Sequence, residues 1–388
     1  MKRKIIRILC SYIVLSAVLC GCADVPSSKE SGGISYAEEE NDHGVENIID
    51  EAETGNETVV AAGPFQRDLG SGDSRFHIAA TIKETDLSNV GILSAVPYGD
   101  MFDKETVLEV FFPGEEEVLD LTEQVNKEAE AEEAKAPEGG EQAVTVRMEA
   151  MNRLCLETKD QNKQFAQSDD ATFSFSDQRK VMEDKQLLQG DYLVLADNNL
   201  DGYSVEAAEL DLRNMFQELG MEDIEVISCV SYSNEKYGYY DIHFTPVVRG
   251  IPIMHNPYER NTDQIVDVIG SAEMDAEEVW DIQANNCMWK VVDEKQVACI
   301  SLETAVKILK WYIENGNILC SDAIVYDRCE LQYMPETQDW ENVTLTPVWR
   351  FYVSMDEQEH IDMDEVYSNN ISLDISINAV NGEIAYRR

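Results

Sequence analysis

Positive charge is scarce in this chain: Lys and Arg number 30 against 76 Asp and Glu, a formal net charge of −46. Nucleic-acid affinity rests on neutralising phosphates with Lys and Arg, so DNA and RNA are excluded as partners. Anionic headgroups and phosphate-rich polymers are repelled for the same reason, whereas basic peptides, basic proteins and divalent cations are favoured. The signatures of common chemistries are missing as well. His43, His77, His243, His255 and His360 include no H-E-x-x-H and no i, i+4 pair, which argues against a zinc protease. There is no G-x-S-x-G elbow, no P-loop and no G-x-G-x-x-G. No C-x-x-C pair occurs, which argues against a thioredoxin-type motif and a zinc ribbon. With 76 carboxylates, glycosidase-like acidic pairs arise by chance, so their presence alone identifies nothing.

Long apolar runs are also absent, except at the start. Lys2, Arg3, Lys4 and Arg7 precede a mostly apolar stretch, "ILCSYIVLSAVLCG". It is shorter than the roughly twenty residues of a spanning helix and has the form of a signal-peptide core. Leu19-Cys20-Gly21-Cys22 resembles the lipobox of bacterial lipoproteins, in which a small residue precedes the cysteine that receives a diacylglycerol. That resemblance implies a signal peptide over 1–21 and lipidation at Cys22, because Gly21 precedes Cys22 whereas bulky Leu19 precedes Cys20. An ordinary secretory signal is the alternative. Loss of the four basic residues takes the net charge from −46 to about −50. The expected location is the extracytoplasmic face of the cell membrane, held by lipid. Residues 22–72 carry nine acidic and no basic residues between Glu38 and Glu57, and read as a disordered acidic tether.

Six further cysteines, Cys155, Cys229, Cys287, Cys299, Cys320 and Cys329, permit three disulfides in an exported chain. Cys287 and Cys299, and Cys320 and Cys329, are near enough in sequence to bridge hairpins; buried thiols are the alternative.

Residues 73–113 read as a small strand–strand–helix unit. "RFHIAATIK" and "VGILSAVPY" supply the strands, and Asp103 caps a helix with Val107, Val110 and Phe111 on one face. Residues 114–143 read as an acidic linker or exposed arm, with eleven acidic and two basic residues between Glu115 and Glu141. Residues 144–190 read as a connecting segment that mixes a helix around Met148–Leu156 with polar loop.

A repeat organises the remainder. Ser204-Val205-Glu206-Ala207-Ala208 and Ser301-Leu302-Glu303-Thr304-Ala305 share a Ser cap, a first-turn Glu and an inward Ala. Apolar stripes follow at Leu212 and Phe216 and at Leu309 and Ile313, with Gly220 and Gly316 where helices end. Downstream, "FTPVVR" (Phe244–Arg249) matches "LTPVWR" (Leu345–Arg350). The expected fold class is therefore α+β: two tandem helix-on-antiparallel-sheet units, 191–295 and 296–388, plus the small strand–strand–helix unit. Pro cannot donate to a ladder, so each Thr-Pro-Val strand is expected at an edge or at a strand start. Thr245, Arg249, Thr346 and Arg350 are the candidate partner-binding residues; pairing of each Arg with a neighbouring carboxylate is the alternative.

Gly250-Ile251-Pro252-Ile253 and Ile377-Asn378-Ala379-Val380-Asn381-Gly382-Glu383-Ile384 resemble the PepSY-type domains and the related YycH/YycI regulators of Gram-positive surfaces. The resemblance covers roughly Gly190 to Arg388. The whole chain also looks like a group of clostridial lipoproteins known as a domain of unknown function. The first resemblance implies a non-catalytic role, binding or restraining a protease or a membrane sensor.

One metal motif remains. Asp197, Asn199 and Asp201 stand at positions 1, 3 and 5 of a D-x-N-x-D-G stretch, with Gly202 at position 6. Position 12, where an EF-hand needs a bidentate Glu, is Ala208, and the preceding "YLVLA" is strand-like. A turn with Gly202 at positive φ is expected; a looser calcium site completed from elsewhere is the alternative. The sequence thus points to a lipid-anchored surface protein that engages a protein or peptide by β-strand addition, without catalysis and without a required cofactor. An envelope hydrolase using an acidic pair, or a calcium-binding surface protein, is the alternative.

Overall fold

Two-residue periodicity governs most of the described chain. The computed structural model describes residues 48–49, 59–69, 75–97, 102–133, 152–168, 172–181, 193–194, 199–233, 237–255, 268–315, 323–337, 342–354 and 372–387. All of these lie within one compact unit, Gly44–Arg388. The first strands are β1 (Val59–Val60), β2 (Gly63–Asp68), β3 (Phe76–Ile82), β4 (Thr85–Asp86) and β5 (Gly91–Pro97). Helix α1 (Lys104–Phe111), β6 (Val118–Asp120) and α2 (Thr122–Glu133) follow, then β7 (Asn152–Thr158), β8 (Lys163–Ser168), β9 (Phe173–Asp177) and β10 (Leu193–Val194). Next come α3 (Val205–Glu218), β11 (Asp223–Ser233), β12 (Gly238–Val248), β13 (Ile251–Pro252), β14 (Ile269–Met274), β15 (Val279–Asn285) and β16 (Trp289–Gln296). The chain closes with α4 (Leu302–Asn315), β17 (Ile324–Tyr326), β18 (Arg328–Thr337), β19 (Val343–Tyr352), β20 (Asp374–Asn378) and β21 (Ile384–Arg387).

These strands merge into large sheets. A ten-stranded sheet runs β10-β11-β12-β14-β15-β9-β8-β7-β6, with β13 added to β12. A six-stranded sheet runs β16-β5-β19-β20-β21, with β18 on the other side of β19. Three strands form β17-β3-β2, and β1 pairs with β4. Only β17 and β3 run parallel among these pairs.

This overturns the expected fold class. The protein is mostly β, built on large multi-stranded antiparallel sheets, and not on separate helix-on-sheet units of PepSY type. Strands β11, β12 and β14 do adjoin one another, but β15 joins them to β9, β8 and β7. The segment read as connecting loop supplies those three strands. Its inward Phe165, Phe173 and Phe175 lie on short strands of two-residue period, which their polar neighbours made read as loop. The small strand–strand–helix unit does not form either. Strand β3 pairs with β2 and β17, whereas β5 pairs with β16 and β19. Strands β3 and β5, adjacent in sequence, are thus drawn to partners roughly two hundred or more residues away, a choice that local periodicity does not encode.

Three of the expected helices form, each with its cap, whereas the one expected around Met148–Leu156 does not, since Asn152–Thr158 is strand β7. Asp103, Ser204 and Ser301 accept hydrogen bonds from the amides of Thr106, Ala207 and Thr304. Gly220, at φ +89°, ends α3 where Met221 N donates to Phe216 O. Helices α1 and α3 meet the ten-stranded sheet through phenylalanine. Phe111 stacks on Phe175 and Phe165, with centroids 4.6 and 5.4 Å away. Phe216 of α3 lies 4.8 Å from Phe244 and 6.0 Å from Phe173. Each such side chain contributes roughly 1.5–3 kcal/mol when fully buried. At one end of the sheet Lys163, Arg179 and Lys180 are set among Glu115, Asp177, Asp275 and Glu278, clasping the turns between strands.

Gly270 of β14 lies opposite Phe244 of β12, and a Cβ there would meet the Phe244 ring at 2.4 Å. The ring is wholly buried against Phe216 and has nowhere to withdraw. Gly270→Ala is therefore expected to lower the unfolding free energy by about 1–3 kcal/mol, read from the urea midpoint, although alanine is the better strand residue.

Candidate functional site

The two Thr-Pro-Val strands are interior, not edges. Strand β12 keeps β11 along one side, while on the other side β14 pairs with Tyr240–Phe244 and β13 with Val247–Val248. Strand β19 keeps β18 along one side, while β5 pairs with Val343–Leu345 and β20 with Val348–Tyr352. Pro246 and Pro347 sit at the handover between successive neighbours, where no ladder amide is required. Their carbonyls are still used: Ile253 N donates to Pro246 O and Ala379 N to Pro347 O, each at 2.9 Å. The expectation of an edge or strand start is corrected accordingly, since a seam inside a sheet satisfies proline equally well.

The matched side chains part company here. Thr245 is buried and donates to Ile253 O at 2.7 Å; Thr346 donates to Glu336 Oε2 at 3.0 Å. Arg350 is buried, with a side chain 7% exposed. Its Nε and Nη2 bond Asp374 at 3.0 and 2.5 Å, and its Nη1 donates to His255 O at 2.9 Å and Gln332 Oε1 at 3.2 Å. The guanidinium also lies 4.4 Å from the Tyr352 ring centroid. It is a structural cation, and Thr245 and Thr346 are structural hydroxyls.

Arg249 is the opposite case. It occupies the β12–β13 turn with φ +53°, followed by Gly250 at +75°, while Val248 pairs with Ile251. A two-residue turn with both φ positive is the type that favours Asn-Gly. Its side chain is 59% exposed, and its ion-pair partner, Glu294 on β16, is 3.9 Å away, outside hydrogen-bond range. Arg249 lines an open groove of about 270 Å³ with Met221, Pro246, Val248, Trp289, Lys290 and Val291. Trp289 is fixed by donating from Nε1 to Asn286 O at 2.6 Å. Its sequence neighbourhood carries no motif, so this groove was not legible in advance.

Of the metal-loop residues, Asp197 lies outside the described residues, as does Cys22. Asn199 Oδ1 accepts from Val205 N at 3.1 Å, at the start of α3. Leu200 N donates to Tyr240 OH, whose hydroxyl donates to Tyr203 O, and Gly202 takes φ +79°. The segment is thus a turn closed by its own hydrogen bonds; Asp201 is exposed at its tip. Among the described residues no group of three or more metal-ligating side chains is gathered to hold an ion.

Acidic residues do align on the ten-stranded sheet. Asp241, Glu273 and Asp281 lie directly opposite one another on β12, β14 and β15. Burial pushes the Asp241 carboxyl up, opposed by the charge of His243. The same physics disfavours the reactive thiolate at two cysteines: burial pushes Cys229 up to about 12 and Cys299 to about 11. Cys287 and Cys299 stand beyond opposite ends of the extended strand β16, which excludes a bridge between them. Cys320 lies outside the described residues.

A mostly antiparallel β protein with a shallow surface groove is therefore the class that the fold defines. The chain resembles in fold an uncharacterised protein from Eubacterium rectale ATCC 33656, with a TM-score of 0.53 and 13% identity. The match covers 88% of this chain and 99% of that one. At such identity the likeness concerns the fold alone. No protein-family model matches the chain, and no curated protein matches it.

His255, beside Arg350, is 5% exposed, and its Nε2 makes no hydrogen bond. Burial, then the charges of Arg350 and His243, lowers its pKa to about 3 from 6.5. Its stability contribution is thus present above pH 6.5 and lost as pH falls towards 3, because only the unfolded chain takes up the proton. His255→Gln is expected to reduce the stability lost between pH 7 and pH 4 by roughly 3 kcal/mol, measured by urea unfolding at both values. An equal loss in both proteins would contradict the assignment.

Proposed function

We propose that this chain is a non-catalytic, lipid-anchored protein of the extracytoplasmic cell surface, anchored through Cys22, that engages a protein or peptide partner by β-strand addition. The observation that carries the reading is the outer edge of β11. This eleven-residue strand lies next to the edge of the largest sheet, where, among the described residues, β10 pairs with Tyr232 and Ser233. No described strand accompanies it from Asp223 to Ser228. An added strand gains main-chain hydrogen bonds beyond Ile224, whose amide donates to Asp223 Oδ1 and whose carbonyl accepts from Arg213 Nη1, and its alternate side chains meet the two sheet faces. Strand β16 is the poorer template, because a bulge at Val292 and the charges of Lys290, Asp293, Glu294 and Lys295 guard it.

A hydrolytic reading has one supporting observation, the abreast carboxylates of Asp241 and Glu273 with Asp241 pushed up by burial. It requires that Asp241→Asn abolish an activity on envelope material.

Ile227 is the bulged residue of β11, without a β12 partner, so Ile227→Pro removes an amide donor where proline is tolerated. Crosslinking capture by the full lipoprotein on intact cells is expected to fall at least tenfold with Ile227→Pro and with Ser228→Lys, while the unfolding midpoint stays near that of the parent. Undiminished capture by both folded variants would refute strand addition at this edge.

A further inference from the structure

We propose that the Arg249 groove is a receptor for the C-terminal carboxylate of a peptide or protein chain ending in an apolar residue. The inference names a ligand for a partner-binding protein and in that sense rests on the preceding reading, although it concerns a separate surface.

Strain is the first argument. Left-handed backbone costs an ordinary L-residue roughly 1–2 kcal/mol, and Asn or Gly would occupy the first turn position with less penalty. Arg249 holds it nonetheless, at φ +53°. Strain of this kind gathers where a side chain must be presented at a fixed place. Its amide is anchored by Glu222 Oε2 at 3.1 Å, which fixes the turn without engaging the guanidinium.

Charge is the second. In a chain with 76 acidic residues, Arg350 and Arg213 are held in direct hydrogen bonds to carboxylates. Among the described residues Arg249 has one ion-pair partner, Glu294 at 3.9 Å, with 59% of its side chain in solvent. Asp223 at the groove is already engaged by Arg213 at 2.9 Å. The guanidinium fork is therefore the group at this site with unspent donors, and a carboxylate matches it in two parallel bonds.

Shape is the third. A cavity of about 270 Å³ lies below the range that encloses a drug-sized ligand. Met221, Pro246, Val248, Trp289 and Val291 give it an apolar side, while Glu222 and Asp223 share its lining. Such a space accepts one apolar side chain beside a charged end, and its open side lets the rest of a chain leave. Lys290 adds a second cation at the rim.

The test is fluorescence anisotropy with the full chain and labelled hexapeptides ending in leucine, either as the free acid or as the carboxamide. The acid is expected to bind at least tenfold more tightly than the amide, and Arg249→Gln to remove that preference. Arg249→Asn relieves the turn and should lose binding while raising stability, which separates recognition from folding. Equal binding of acid and amide, or full binding by Arg249→Gln, would overturn the proposal. If the acid fails to bind while cell-surface capture still depends on Ile227 and Ser228, the carboxylate site falls and the strand-addition reading stands. The converse pattern would remove the strand edge and leave the groove.

Discussion

A single buried guanidinium ties the molecule together. Arg350 projects from β19 and reaches Asp374 on β20, Gln332 on β18 and the His255 carbonyl beyond β13. Those partners come from both large sheets, because β13 is paired to β12 of the ten-stranded sheet. Met254 N donates to Tyr333 O, and Ile253 bridges Tyr333 in parallel, so the residues from 251 to 255 form a strap between the sheets. Isolating that charge would leave Asp374 without its counter-ion, the situation in which buried ion pairs are most costly to break.

The repeat in the sequence is real as a pattern of residues, but its structural meaning lies in the seams. Both Thr-Pro-Val strands change neighbours at their proline, and both offer the proline carbonyl to an amide from the next strand segment. The following arginines then diverge. One continues along a strand into the interior and becomes the clamp; the other enters a left-handed turn and is turned out to solvent. Equal sequence context therefore places one cation in the core and one on the surface, decided by whether the strand continues past it.

Local features were legible and long-range ones were not. Capping at Asp103, Ser204 and Ser301, the Gly220 helix end and the Gly202 turn follow from short-range chemistry that a few residues contain. The pairing of β5 with β16 and β19, or of β3 with β17, depends on partners that no neighbouring residue specifies. Phe165, Phe173 and Phe175 were hidden because their short alternating runs are broken by polar turns. Arg249 and Arg350 were both singled out in advance, yet only the structure separates them. The partners that distinguish them, Asp374 for one and Glu294 for the other, lie 24 and 45 residues away in sequence.

This division bears on function. The interior cation and its strap join the two sheets, leaving the β11 edge and the Arg249 groove as the surfaces proposed to meet a partner. The central claim is the strap, and Arg350→Gln with hydrogen exchange read across both sheets tests it most directly. The account predicts a loss of about 3–5 kcal/mol, with amides of β12 and β19 losing protection together. Loss of protection confined to β20 and β21, with β12 unchanged, would contradict it.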